Sequence, residues 1–460
     1  MKKVLIFLLV FLTMVTLYAG GGKEQSLSVS DSPVKQFDGT TIYLIMEQSA
    51  PTEALEKLFP QFEELTGIEI VLEKAPYDDV VQKETLAFVS QRGAYDLIAA
   101  PYEFLGNMVT NNYIQSIEPF LENEALHVIP SFNKDDLIPG LWNACGEWEG
   151  NLYGTPSNLC VMFYGFRKDL MGNTAEKAAF ESKYGYPLAE PTNWKEYRDI
   201  AEFFTRKKGD MLAGEVLENN FYGVSMSGKR HPATVFEWMN YMWSFGGGFF
   251  DDDGELIINS KENIDALEYY VNLTEFAPPG VSSKTWDEQT TELQQGIVAQ
   301  AVFFNDCAPS VEDPDSSLMV GKMGYGAIPA EKAEVAHFGG WGFYIPTDAK
   351  NPEASWVFLQ WFLSKEIQKT LAEQGFFPGL ASVYDDAELE STIPYWSASK
   401  AAFEICSQRP RIPEWNSMSE VMQLEISKAI SGEITASEAI KNLEIEFNDI
   451  LKNSLPVTYQ

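Results

Sequence analysis

The sequence predicts an α/β protein built as two lobes, and three observations lead there. With 460 residues and 45% apolar content, the chain exceeds what one hydrophobic core usually serves and can fill two. Between residues 41 and 120, short apolar runs alternate with amphipathic segments, the pattern of parallel strands joined by helices. Late in the chain, His337 to Leu380 repeats that pattern, with a strand and a helix framed by two loops rich in glycine and aromatic residues.

The first 19 residues set the compartment. Lys2 and Lys3, the apolar run Val4 to Val15 and the small residues Ala19 to Gly22 fit a secretory signal better than a membrane span. An exported chain, periplasmic or at the cell surface, is expected. Leu17-Tyr18-Ala19 resembles the approach to a lipoprotein cleavage site, yet Gly20 stands where a lipid-bearing Cys is required, which argues against an anchor. Residues 20–36 lack apolar periodicity and are rich in Gly, Ser and polar side chains, so they read as a flexible tether.

Composition excludes some partners. The 67 acidic and 33 basic residues give a net charge of −34, which repels phosphate backbones and anionic membrane surfaces, so no nucleic acid is expected. Cys145, Cys160, Cys307 and Cys406 show no C-x-x-C spacing, so neither a zinc site nor another cofactor is expected. An exterior compartment permits a disulfide, with Cys145–Cys160 the more local pairing, and burial as small hydrophobes is the alternative.

In chain order, Thr41 to Ile45 reads as a strand, Glu53 to Leu65 as a helix ending at Gly67, and Ile68 to Leu72 as a second strand. Val80–Val89 then gives a helix, Asp96–Ala100 a strand and Phe104–Thr110 a helix. The tips after these strands carry Glu47, Tyr77, Tyr102 and Glu103. Ligands of open α/β sheets collect beyond the carboxyl ends of strands, so position alone makes these four residues candidates. A crossover between lobes is placed near Pro156-Ser157-Asn158, where a polar, turn-rich stretch gives way to a long extended run. Asp251-Asp252-Asp253-Gly254 is a hairpin turn, because the calcium loop's required Gly and Glu are out of register.

The returning stretch opens with Gly339-Gly340-Trp341-Gly342, where absent side chains allow close backbone approach or positive φ and leave one ring exposed. Phe343 to Ile345 continues as a strand until Pro346 and Asp348. Asn351-Pro352 then starts a helix. Its apolar positions Trp356, Leu359, Leu363, Ile367 and Leu371 bury one face for roughly 20 residues, until Gly375. Trp356, Phe358, Trp361 and Phe362 are core residues. Trp341 and Phe377, beside glycines on loops, are candidates for a ligand surface.

Six motifs now fall in order. They are Asn151-Leu152-Tyr153-Gly154-Thr155-Pro156 with Phe163 to Leu170, Pro191 to Glu196, Gly246 to Gly254, Gln294 to Ala301, Gly339 to Ser364, and Arg409-Pro410-Arg411-Ile412-Pro413. Together, across about residues 38–452, they resemble the extracellular solute-binding proteins of bacterial sugar ABC importers, the maltose-binding-protein-like family. One departure is Gln300-Ala301, where that family usually carries Ala-Met. The resemblance implies a two-lobed, type II-like periplasmic-binding fold with three interlobe crossovers and a cleft between the lobes. Lobe 1 would be 37–157 with 338–378, and lobe 2 158–337 with 379–460. It further implies a monomer that captures a sugar, oligosaccharide or polyol by hinge closure and delivers it to ABC permease subunits.

A sugar presents hydroxyls at its rim and apolar C–H faces, so its site needs planar rings and convergent hydrogen-bonding groups. Positions matched by the resemblance supply both. Trp341, Phe377, Trp238 and Trp243 are stacking candidates. Glu47, Glu103, Asn158, Asn305, Asp306 and Arg411 are polar ones, with Tyr77, Tyr102 and Gly247 completing the set. Packing alone accounts for one of Trp238 and Trp243 and for Trp286, and Arg411 could instead neutralise nearby acids. The rival class is a secreted glycoside hydrolase using paired carboxylates. Against an enzyme stand the missing G-x-S-x-G elbow and the absence of metal or triad spacing among His127, His231 and His337. A repeat-built adhesin lacks the internal repeats.

Overall fold

The computed structural model describes residues 33–457. The signal segment and most of the tether lie outside the described residues. Pro33–Lys35 already forms a helical turn, and Val34 and Phe37 pack against the first core, so the last tether residues belong to the folded unit.

One nine-stranded sheet runs through the whole molecule. Its strands are β1 (Thr41–Glu47), β2 (Glu69–Ala75), β3 (Leu97–Pro101), β4 (Gly154–Arg167), β5 (Tyr222–Ser225), β6 (Val298–Phe304), β7 (Met323–Gly326), β8 (Ala336–Tyr344) and β9 (Cys406–Ser407). They lie in the order β2-β1-β3-β8-β4-β6-β5, with β7 on β4 and β9 on β8. β1 pairs in parallel with β2 and β3, as the strand–helix–strand alternation predicts. β6 and β5 form the parallel pair at the other end.

The two long central strands belong to both halves. The start of β4 pairs with β8, from Gly154 opposite Tyr344 to Val161 opposite Phe338, and its end pairs with β6, from Met162 opposite Phe304 to Phe166 opposite Gln300. The register shifts at Trp341/Gly342, where Asn158 and Pro156 are the successive partners and Ser157 is passed over. Such a bulge bends a strand and re-aims the side chains beside it. It falls in the stretch where the sequence places its crossover.

Two hydrophobic cores flank this spine. The first holds β1 to β3, Trp341, Phe343 and the helix Pro352–Phe362. The second holds most of β4 and β6 and the helices Pro232–Ser244, Lys261–Asn272, Trp415–Ser431 and Ala436–Ile450. Phe376 and Phe377 are neighbours in sequence yet enter different cores.

Two expected helices are each split. Residues 53–65 form Ala50–Glu56 and Phe59–Thr66, and Pro60 sits in the first turn of the second, where its missing N–H costs nothing. The 352–371 helix stops at Phe362 and resumes at Lys365. Ser364 breaks it, donating its hydroxyl to the Trp361 carbonyl at 2.7 Å and bridging to Phe132. Trp356, Leu359, Leu363, Ile367 and Leu371 still share one core. All four cysteines are free, and Cys145 and Cys160 are buried.

Candidate functional site

Three strand ends and one helix start converge on one cleft. β1 ends at Glu47 and turns through Ser49, whose side chain caps the helix Ala50–Glu56. β2 leads through Pro76 into Tyr77, the first residue of the helix Tyr77–Ser90. β6 leads into Asn305, Asp306 and Cys307. From the second half, Trp286 is the first residue of the helix Trp286–Gln295, started by a reciprocal capping box between Thr285 and Glu288. Parallel strands and helix starts thus aim loop residues of both halves into the same space, the position the topology rule favours.

The space is a cavity of about 330 Å³ lined by Glu47, Tyr77, Trp286, Asp287, Asp306, Trp341 and Arg409, among others. Tyr77 meets Trp286 and Trp341 edge-on, with centroids 5.5 and 5.7 Å away. Gly339 forms part of the floor, and an added Cβ there would lie 2.5 Å from the Cys160 sulfur and 2.6 Å from the Phe304 ring. Close packing, not left-handed backbone, therefore requires that glycine, since neither it nor Gly340 nor Gly342 has positive φ. Trp341 is only 9% exposed, because what surface it keeps faces the cavity.

Electrostatics separate the acids. Burial, then the Asp306 and Asp287 carboxylates, pushes Glu47 up to about 8. Burial likewise lifts Asp306 to about 6, against the amide of Asn158, which donates to its carboxylate at 3.1 Å. Behind the cavity, Arg409 donates to Glu103, and Tyr102 accepts from the Arg409 backbone at 2.7 Å. The guanidinium also lies 4.1 Å from the Phe236 ring centroid, a cation–π contact.

The halves also touch at the rim. His231 is 3.6 Å from Asp78 and packs edge-on against Tyr77 and Trp286. Its Nδ1 accepts the Ala233 N–H at 3.1 Å, and burial pushes its pKa down to about 4, so a neutral imidazole sits in this contact.

Of the residues expected from sequence, Glu47, Tyr77, Asp306 and Trp341 line the cavity. Asn158 lines a small adjoining pocket with Glu47, Ser49 and Trp341. Tyr102 and Glu103 act one layer back, holding Arg409. The remaining six are elsewhere. Trp238 is fully buried in the second core, and Trp243 stacks on His337 at 5.6 Å. Gly247 packs against Asn263, and Asn305 accepts the Val161 N–H at 2.9 Å, tying β6 to β4. Phe377 stacks on Phe403 at 4.6 Å, and Arg411 donates to the carbonyls of Asn143 and Glu147. Each of these already has a packing or backbone partner.

Sequence reasoning missed Arg409 and Asp287 and assigned Trp286 to packing, whereas all three line the cavity. Arg409 lies two residues before Arg411 in the same motif, and only the core of the fold distinguishes them. Trp286 does follow a capping signal, Thr285 with Glu288, and a first-turn residue beyond a cap can face a cleft.

The sequence profile of the "Bacterial extracellular solute-binding protein" family matches residues 48–369. The chain belongs to that family. This solute-binding protein resembles the ribitol complex of an ABC transporter solute-binding protein from Agrobacterium radiobacter K84, with TM-score 0.78 and 26% identity over 90% of this chain and 99% of that one. It is 22% identical over 89% of both chains to a Sinorhizobium fredii protein named "Probable amino-acid ABC transporter periplasmic-binding protein". It is 22% identical to the erythritol/L-threitol-binding protein of Mycolicibacterium smegmatis, over 79% of this chain and 76% of that one. Among the described residues of the solute-binding protein, no helix is long and apolar enough to cross a membrane.

Proposed function

We propose that this solute-binding protein captures a sugar or polyol in its interlobe cleft by hinge closure and hands it to the permease of an ABC importer. The observation that carries the reading is the cavity itself, where rings from both halves meet carboxylates at the carboxyl ends of the strands. Rings match C–H faces, and carboxylates accept from paired hydroxyls. Relatives that bind ribitol and erythritol or L-threitol support the same class. At about 330 Å³ the cavity is at the small end of the roughly 300–1,000 Å³ range of ligand pockets, which favours a monosaccharide or short polyol.

On this reading the lobes divide as 37–157 with 338–378 and 158–337 with 379–460, and the bulge between β4 and β8 is part of the hinge. Ligand that binds only the closed form shifts the population toward it. A glycoside hydrolase is the second reading, supported by two cavity carboxyls, Glu47 and Asp306, whose pKa values are raised to about 8 and about 6. A thermal-shift screen against sugars and polyols, with product analysis of the same mixtures, tests both. Capture predicts a raised Tm for at least one compound and no product. Product formation would establish the hydrolase, and a flat screen would sink both.

A further inference from the structure

The cavity is rich in carboxyl groups without a cationic partner. Glu47, Asp287 and Asp306 all line it, and among the described residues none of them forms an ion pair. Glu84 interacts electrostatically with Glu47, and its buried Oε1 has no partner. The exposed Lys229 influences Asp287 without pairing with it. Arg409 is the cationic side chain lining the cavity, and it is committed to Glu103 and Tyr102.

Some neutral donors in the lining are spent as well. Thr290 donates to the Trp286 carbonyl at 2.8 Å, Thr291 to Asp287 at 2.9 Å, and the Gln294 amide to Ser310 at 2.9 Å. Asn158, 8% exposed in the adjoining pocket, turns its amide N–H to Asp306 and leaves Oδ1 without a partner. Neutral donors remain in the Gln48 amide, the Tyr77 hydroxyl and the Trp286 and Trp341 indoles, yet the charged groups left for a ligand are acids. The helix starts facing the cleft do not reverse this, because Asp78, Asp79, Asp287 and Glu288 occupy their first turns.

The walls suit a cation too. Tyr77, Trp286 and Trp341 present clustered rings, whose faces attract organic ammonium groups. A groove of about 550 Å³ adjoins the cavity through Ala50 and Ser310, and its lining includes Glu312, Asp313 and Glu373 against one Lys57, with Glu53 paired to Lys74. A mostly acidic surface beside the cavity raises the local concentration of oppositely charged solute.

Building on the capture reading, we infer that the ligand carries an amine, as an amino sugar or amino polyol does, with the ammonium between Glu47 and Asp306 and the carbon skeleton against Tyr77, Trp286 and Trp341. A neutral polyol would leave the Asp306 carboxylate, lifted only to about 6, uncompensated as the cleft dries on closure. The ammonium compensates it and offers three donors to the surrounding carboxyl oxygens. Near pH 7 Glu47 is a neutral acid in the empty cleft, since its pKa is about 8. Binding an ammonium would ionise it and release a proton to solvent.

Calorimetric titration of the full chain near pH 7 with matched pairs tests this: D-glucosamine against D-glucose, and 1-amino-1-deoxy-D-sorbitol against D-sorbitol, with putrescine as an amine without hydroxyls. The expected result is at least about tenfold tighter binding of the amine member. Its affinity should fall with added salt, and its heat should change with buffer ionisation enthalpy, reporting proton release. Glu47→Gln and Asp306→Asn should each shrink that preference. Equal or tighter binding of the neutral member overturns the inference and leaves sugar capture standing. Binding of putrescine alone keeps the cation and removes the sugar, and no binding by any of the five removes the inference.

Discussion

A buried acid and two half-buried ones lie a few side chains apart in this protein, and they are handled in opposite ways. Glu103 is 1% exposed and meets Arg409, itself 4% exposed, whose guanidinium is further held by the Tyr102 hydroxyl and the Phe236 ring. Glu47 and Asp306 face a cavity whose one lining cation, Arg409, is paired with Glu103, and both are pushed toward the protonated form. Burying a charge is costly unless it is paired, so the first group is structural in character. The second keeps its cost in the empty state, where a ligand can relieve it. Perturbed carboxyls in a cleft are what a binding site requires, and the contrast shows which acids to test.

The comparison breaks most visibly at Arg409. Arg409→Met should strand Glu103 in the core and destabilise the fold by about 3–5 kcal/mol in chemical denaturation. Arg409→Met with Glu103→Gln should recover much of that. A single variant as stable as the wild type would remove the structural role. Next in size, Trp341→Ala should weaken ligand binding by about 1–3 kcal/mol, read by calorimetry, while the fold survives. Unchanged affinity would take Trp341 out of the site.

The acids themselves give a pH signature. Glu47 and Glu237 are lifted by burial from 4.5 to about 8. The folded chain then holds protons that the unfolded chain has released, so stability of the empty protein falls as pH rises from about 4.5 toward about 8. Glu47→Gln should flatten that slope in urea melts across the window, and an equally steep slope in the variant would contradict the assignment. The smallest effect is expected at the rim. Tyr77→Leu removes aromatic contacts to Trp286, Trp341 and His231 and should weaken closure by about 0.5–1.5 kcal/mol, seen as faster ligand release.

Much of this was legible in the sequence. Strand–helix alternation gave the parallel sheet, and topology drew attention to Glu47 and Tyr77 at strand tips. Trp341, flanked by glycines, was read as an exposed ring on a loop, whereas it lies inside strand β8 at 9% exposure, facing the cavity, and its glycines serve close packing. Residues such as Trp238, Phe377 and Arg411 carried the same composition signal and were absorbed by packing or backbone carbonyls. Aromatic and Arg side chains look alike in sequence whether they face a core or a cleft, and only three-dimensional neighbours decide. Helix breaks at Leu58 and Ser364 were hidden because the apolar periodicity continues across them.

The account rests on two halves that close on a ligand held between Tyr77 and Trp341 on one side and Trp286 and Asp306 on the other. Small-angle X-ray scattering of the empty and ligand-saturated protein tests it most directly. It predicts a smaller radius of gyration on saturation, with no such change for Trp341→Ala at the same ligand concentration. Superimposable curves for empty and demonstrably loaded wild-type protein would contradict it.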